Sequence, residues 1–194
     1  MKSYIKQEIA KSADLLSRML ADEPLMTELE KVAHGCVTAL RSGGKVLFAG
    51  NGGSAADAQH LAAEIVCRFA YDRPGLPAFS LATDSSVMTA IGNDYGYEQL
   101  FARQIQAVGV DGDVFVGITT SGKSPNILRA LSAAGNKGLV TVGFTGESGG
   151  DMVGLCDFCI RIPSQETAKI QEGHIVLGHI LCGIIEQAFF PQAT

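Results

Sequence analysis

The sequence predicts an α/β fold, a parallel sheet with helices on both faces, preceded by a two-helix N-terminal arm. Three observations carry this reading. Five short runs rich in Val, Ile, Phe and Leu recur after residue 44, each followed by Gly, Ser, Thr or Pro. Stretches of helical periodicity separate them, and the first forty residues show apolar positions at helical intervals alone. Strands that alternate with helices in this way become parallel neighbours, because parallel pairs need a crossover connection.

At 194 residues the chain has the length of one domain, or of one domain with a helical appendage. Its 46% hydrophobic and 18% charged residues, with six prolines, are those of an ordinary globular protein and exclude the disordered and fibrous classes. A net charge of −5 and a pI near 5.3 argue against a surface that neutralises a nucleic-acid backbone. The opening "MKSYIKQEIAKSADLLSRML" is charged at helical spacing, so it reads as neither signal peptide nor membrane span. The expectation is a cytoplasmic protein with no nucleic-acid and no membrane partner.

The arm (1–42) comprises helices expected at 2–21 and 25–42, and the proline of the intervening "DEPL" suits the opening turn of the second. Gly43-Gly44 ends it. Strands follow at 45–50, 78–83, 113–119, 139–145 and 157–163, with helices at 54–70, 85–92, 98–109, 124–136 and 170–190. Ligands of such sheets bind at the carboxyl ends of the strands, which directs attention to the loops after Gly50, Thr83 and Thr119. Five cysteines (36, 67, 156, 159 and 182) without an export signal do not make a disulfide framework. Cys156 and Cys159 have C-x-x-C spacing but no second ligand pair nearby, so they read as buried thiols on an apolar strand.

Two polar loops carry the chemistry. In "GNGGSAADAQH", Gly50, Gly52 and Gly53 permit a tight turn and a close approach to a ligand, while Ser54 is placed as an N-cap with Asp57 three residues on as in a capping box. A helix start of this kind attracts anions. The second loop, "GITTSGKS" (117–124), matches the G-x-x-x-x-G-K-[ST] pattern of nucleotide-binding loops and opens a helix with Ser124 as N-cap and Pro125 at the first position. A nucleotide loop also needs an aspartate on a neighbouring strand to organise magnesium, and Asp84 is only a faint candidate. The hydroxyls of Thr119, Thr120, Ser121 and Ser124 suit a dianionic phosphate ester better, because its oxygens accept several hydrogen bonds without a metal.

Further titratable groups lie on two helices. His60 and Glu64 are one turn apart on one helix face, and Asp57 shares their stripe beside Leu61, Ile65 and Phe69 on the buried side. The last helix carries Gln171, Glu172, His174 and His179 in an otherwise apolar run. Gln171 lies within about 80° of both histidines around the helix axis, so helical angle does not separate a core histidine from a functional one. Two His, one Glu and one Gln or Glu are also a possible imidazole and carboxylate metal set.

In this order, "GNGGSAADAQHLAAE", "GND" at 92–94, "TTSGKS" and "IQEGHIVLGH" resemble the SIS (sugar isomerase) domain proteins, and most closely the phosphoheptose isomerases among them. The resemblance spans nearly the whole chain. It implies a single domain over 1–194, with a five-stranded parallel sheet flanked by helices, a flavodoxin-like three-layer αβα sandwich, over 43–194. It further implies a homotetramer with active sites at subunit interfaces. By resemblance, Asn51, Gly52, Gly53, Ser54, Glu64, Asn93, Asp94 and Gln171 contact the substrate, and Thr119, Thr120, Ser121 and Ser124 cradle its phosphate. Glu64 becomes the catalytic base and His179, rather than His174, its acid partner. His60, Glu64, Gln171 and His179 match the residues that bind one zinc ion per subunit in some members.

The implied reaction is an aldose–ketose isomerisation of sedoheptulose 7-phosphate to D-glycero-D-manno-heptose 7-phosphate through an enediol. It is the first step towards the nucleotide-activated heptoses of cell-envelope polysaccharides such as lipopolysaccharide. Two positions depart from the family pattern: Ala168 replaces an acid found in some members, and Lys123 stands where others often have Asn and receives no contact. Other proteins with this fold and nearly these motifs are non-enzymatic regulators that bind a replication initiator, or act on different sugar phosphates. Glu64 and His179 beside an intact phosphate loop favour the enzyme.

Overall fold

The structure, a computed structural model, describes residues 1–192. Its elements in chain order are α1 (Lys2–Leu20), α2 (Glu23–Arg41), β1 (Val46–Gly50), α3 (Gly53–Val66), β2 (Ala78–Ser80), α4 (Ser85–Tyr95), α5 (Leu100–Val108), β3 (Val114–Ile118), α6 (Pro125–Asn136), β4 (Val140–Gly146), β5 (Phe158–Ile162) and α7 (Thr167–Phe189). Short 3₁₀ turns cover Tyr97–Gln99 and Gly150–Leu155.

All five strands are parallel, in the order β2-β1-β3-β4-β5. The order reverses between β1 and β3, whose last residues Gly50 and Ile118 are register partners. The two polar loops singled out by the sequence therefore leave the sheet side by side at its topological switch point, where open α/β sheets bind ligands.

Strand residues alternate between two cores, as the pleat requires. Val46, Phe48, Val114, Val116 and Ile118 face the layer of α2, α3 and α7, whereas Leu47, Ala49 and Phe115 face α4, α5 and α6. Of the two arm helices, α2 belongs to the first layer by packing: Leu29, Val32, Cys36 and Leu40 share its core with Phe48 and Leu181. Asp22 caps α2 by accepting from the Leu25 amide at 3.0 Å, and Pro24 sits in its first turn, so the helix starts two residues earlier than its periodicity alone suggests.

α1 buries only Leu15 and Met19 and is held on α7 by polar contacts. The buried Lys169 ammonium donates to Ser12 Oγ and Glu172 Oε1, both at 2.8 Å, and Ser12 Oγ donates to Glu172 Oε2 at 2.7 Å. The Lys169 hydrogen bond holds the Glu172 carboxyl below the usual carboxylate range.

Several boundaries differ from the sequence reading, each for a local reason. β2 stops at Ser80 rather than residue 83, because the chain turns there with the Thr83 hydroxyl bonded back to Ser80 O. α3 ends at Val66 rather than 70, where Arg73 takes over its terminal carbonyls, so Phe69 lies outside the helix and is 37% exposed. α4 runs on to Tyr95 and carries Asn93 and Asp94 in its last turn. Asp84 caps that helix through the Val87 amide at 3.0 Å, which is its structural role in place of a magnesium ligand.

α3 and α7 run in the same direction and pack closely. Gly53 abuts Gln171, Leu61 abuts Gly178 and, beyond the end of α3, Phe69 abuts Gly183. A Cβ on Gly178 would lie 2.6 and 2.7 Å from the two Leu61 methyl carbons, and Leu61 is fully buried. Gly178→Ala gains about 1 kcal/mol of helix propensity but overpacks this contact at a cost of about 1–3 kcal/mol. The expected outcome is a net loss of stability, read as a lower urea midpoint at unchanged m-value.

Candidate active site

The first loop is shaped by its glycines. Gly52 is the N-cap residue of α3 and adopts φ +56°, a left-handed conformation that favours glycine. A Cβ on Gly50 would collide with the backbone of Ser54, and one on Gly53 with the Gln171 amide. Ser54 is therefore buried inside the first turn rather than capping it, and the expected capping box with Asp57 does not form. One Asp57 oxygen is instead buried without a hydrogen-bond partner, and burial pushes its pKa up.

Asn51 ties this loop to the second one. Its amide nitrogen donates to Asn126 Oδ1 at 2.9 Å, while its Oδ1 accepts from Asn126 Nδ2 at 2.8 Å and from the Tyr97 hydroxyl at 2.9 Å. Both lone pairs of Asn51 Oδ1 are thus occupied, and one N–H together with the backbone is left to meet a ligand. Asn126, 2% exposed on the first turn of α6, was read from the sequence only as part of a helix start.

In the second loop three of the four hydroxyls expected from the sequence come together, and Thr120 lines the adjoining cleft. Thr119 Oγ1 lies 2.8 Å from Ser124 Oγ and 3.4 Å from Ser121 Oγ, which in turn accepts from the Lys123 amide at 3.2 Å. Ser124 precedes α6 as its cap residue, but its hydroxyl is directed at Thr119 rather than at the helix amides. Gly122 sits at φ +66° with its backbone packed on Gly149 and Gly150. Thr120, Ser121 and Lys123 line a cleft of about 380 Å³ closed on the far side by Gly146, Ser148, Ser164 and Thr167. Lys123, given no contact in the sequence reading, is part of that wall.

Two turns along α3 from this helix start, a second cluster forms. His60 Nε2 lies 3.3 Å from Glu64 Oε1 and 2.7 Å from His179 Nε2, and ligand atoms of all three residues fall within 4.8 Å of one another. The Phe69 ring covers His179 at 5.7 Å between centroids. Among the described residues this is the one group of three or more His, Cys, Asp or Glu side chains able to hold a metal ion. Two imidazoles and a carboxylate with an open side are the donor set of catalytic zinc sites, so the residues fit that ion.

The remaining sequence candidates lie apart. Gln171 packs over Gly53, about 12 Å of helix rise before His179. Asn93 and Asp94 are exposed at the end of α4, with Asn93 Nδ2 donating to Asp94 Oδ1 at 2.7 Å. His174 is a core residue, 1% exposed, with Nε2 3.2 Å from Thr145 O and an unpartnered Nδ1. The C-x-x-C thiols are half-buried rather than buried, and their mutual interaction lowers the pKa of Cys159 and raises that of Cys156.

One arrangement escaped the sequence reading. The buried Glu186 carboxylate accepts from the Phe69 and Ala70 amides at 2.8 and 2.7 Å and from Arg73 Nε at 2.9 Å. Burial alone would raise this carboxyl, but the two amides and the guanidinium hold it below the usual range. A lone acid in the apolar run "LCGIIEQAFF" was the available signal, since a buried carboxylate needs a partner.

Comparison with known proteins defines the class. The SIS domain family matches residues 8–146. The phosphoheptose isomerase of Burkholderia pseudomallei (strain K96243) is 59% identical over 190 residues, covering 98% of this chain and 96% of the relative. That of Aneurinibacillus thermoaerophilus is 55% identical over 190 residues, with the same coverage of 98% and 96%. The solved phosphoheptose isomerase of Neisseria gonorrhoeae superimposes with a TM-score of 0.90 at 38% identity, covering 96% of this chain and 98% of that one. The chain belongs to the SIS domain family. Within it, the relatives and solved neighbours place it among the phosphoheptose isomerases, and it is an isomerase.

Burial lowers the His174 pKa from 6.5 to about 4. The unfolded chain takes up this proton near pH 6.5 and the folded chain only near 4, so stability present above 6.5 is lost as pH falls through that window, by about 3 kcal/mol in total. Denaturant titrations from pH 7 to 4 are expected to show this acid loss in the parent protein and a shallower one in His174→Gln.

Proposed function

We propose that this isomerase interconverts sedoheptulose 7-phosphate and D-glycero-D-manno-heptose 7-phosphate, a reading supported by its relatives' name, phosphoheptose isomerase. The observation that carries the reading is the spacing of two centres. The hydroxyl loop stands beside the start of α3, and His60 lies seven residues, about 10 Å of helix, further on. A heptulose 7-phosphate has its phosphate at one end and its reacting C1 and C2 at the other, so a substrate of this length suits two separated centres.

The hydroxyls of Thr119, Thr120, Ser121 and Ser124 bind the phosphate, with Gly52 and Gly53 at the α3 start contributing backbone amides and a favourable dipole, the Ser54 amide being taken by Asn51 O. Glu64 takes the proton from C1, the electron pair moves to form the enediol, and the proton is returned at C2. His179 moves the hydroxyl proton between the two oxygens. No redox partner is needed, because one C–H bond breaks as another forms. Zinc held by His60, Glu64 and His179 would polarise the substrate carbonyl when bound, whereas Gln171, packed over Gly53, stands away from this cluster and is kept as a substrate contact. Asn51, Asn93 and Asp94 complete the sugar contacts.

The working form is a homotetramer with sites between subunits. This is supported by an unpartnered stripe on α1, where Ile5, Ile9, Leu16 and Leu20 are 54, 64, 45 and 75% exposed and fall within about 60° of arc. The enzyme works in the cytoplasm, where it supplies heptose for cell-envelope polysaccharide; among the described residues no helix is long and apolar enough to cross a membrane.

Incubation with sedoheptulose 7-phosphate, with and without added zinc, is expected to yield the aldose phosphate by NMR, and no turnover in either condition contradicts the substrate. Glu64→Gln is expected to lower kcat about 10²–10⁴-fold with sugar-phosphate binding retained. A native rate would remove Glu64 as the base. Ser121→Ala should instead raise KM, and an unaltered KM counts against the cradle.

A further inference from the structure

Glu64 and His179 stand on different helices, and a second device links those helices just beyond them. The last turn of α3 leaves carbonyls without helical partners. Arg73 Nη2 donates to Glu64 O at 2.8 Å and Nη1 to Ile65 O at 2.7 Å, so the guanidinium closes the end of α3 at the residue that carries the carboxylate. Its Nε donates to Glu186, seven residues and two turns beyond His179 and therefore on the same face of α7. Glu186 also receives the Phe69 and Ala70 amides, fixing the segment whose Phe69 ring covers His179. The Arg73 and Glu186 side chains are 3 and 1% exposed.

We propose that the Arg73–Glu186 pair is a positioning element of the reaction centre. It sets the separation of Glu64 from His179 by joining the end of α3 to α7, and it touches neither substrate nor the reacting groups. The inference rests on the roles given above to Glu64 and His179. The physical ground is that a buried pair is costly in net stability compared with apolar residues of the same volume, whereas its geometry is stiff and directional. Misplacement of a reacting group by about 1 Å costs up to about 10²-fold in rate.

The test is steady-state kinetics on the full chain. Arg73→Lys keeps the charge but loses the fork that spans Glu64 O, Ile65 O and Glu186. The expected result is a kcat about 10–100-fold below the parent with KM changed by less than about threefold, measured well below the unfolding midpoint. Leu139→Ala, a buried position just before β4 in the core on the other face of the sheet, serves as a destabilised control and is expected to keep the parent kcat. As a second variant, Arg73→Met combined with Glu186→Leu removes both charges together and leaves no unpaired one.

A parent-like kcat in either folded variant overturns the proposal, as does an equal loss in the Leu139→Ala control. If neither variant recovers the parent's assembly, the pair is a folding element and the proposal falls. Glu64→Gln run in parallel separates the two levels. A parent-like rate there sinks the site assignment itself, whereas an impaired Glu64→Gln beside a parent-like Arg73→Lys sinks only the positioning role.

Discussion

Gly178 lets α7 run so close to α3 that the Leu61 side chain occupies the space a side chain on α7 would need. The same closeness recurs at Gly53, where the Gln171 amide lies on the helix start, and past the end of α3, where Glu186 takes up the Phe69 and Ala70 amides. Because the two helices are parallel, residues at matching heights meet, and His179 arrives at the level of His60 and Glu64. A wider separation would still bury the apolar stripes of both helices. It would not bring a carboxylate and two imidazoles within reach of one another.

The sheet supplies the other half of the geometry. Its order places the ends of β1 and β3 together, so the glycine loop and the hydroxyl loop share one edge and are joined through the Asn51–Asn126 amide pair. α3 then leads away from that edge and carries its reactive face two turns further on. On the function proposed above, the distance between phosphate cradle and proton-transfer centre is set by helix rise, and a shorter sugar phosphate held in the same cradle would leave its carbonyl carbon short of Glu64.

Much of this was legible in the sequence, and the parts that were not share a cause. The five strands and the order of helices follow from apolar periodicity, which reports burial directly. Boundaries drifted where a side chain overrode periodicity, as with Asp22 at the start of α2, Thr83 after β2 and Arg73 at the end of α3. The hydroxyl loop was readable because Thr119, Thr120, Ser121 and Ser124 are adjacent in the chain. Asn126, Tyr97, Arg73 and Glu186 were not, because each acquires its role from a partner 46 to 113 residues away. His179 could be distinguished from His174 by resemblance but not by helical angle. Burial and a backbone carbonyl partner account for His174, and the neighbouring His60 ring marks His179.

The central claim is that α3 and α7 build one reaction centre from side chains that lie more than a hundred residues apart in the chain. A double-mutant cycle on kcat, with Glu64→Gln, His179→Gln and the two combined, tests it most directly, because groups that act as a unit are strongly non-additive. The account predicts that the double variant is about as slow as the slower single variant. Losses that multiply across the cycle would mean that the two residues act independently, and would contradict a shared centre.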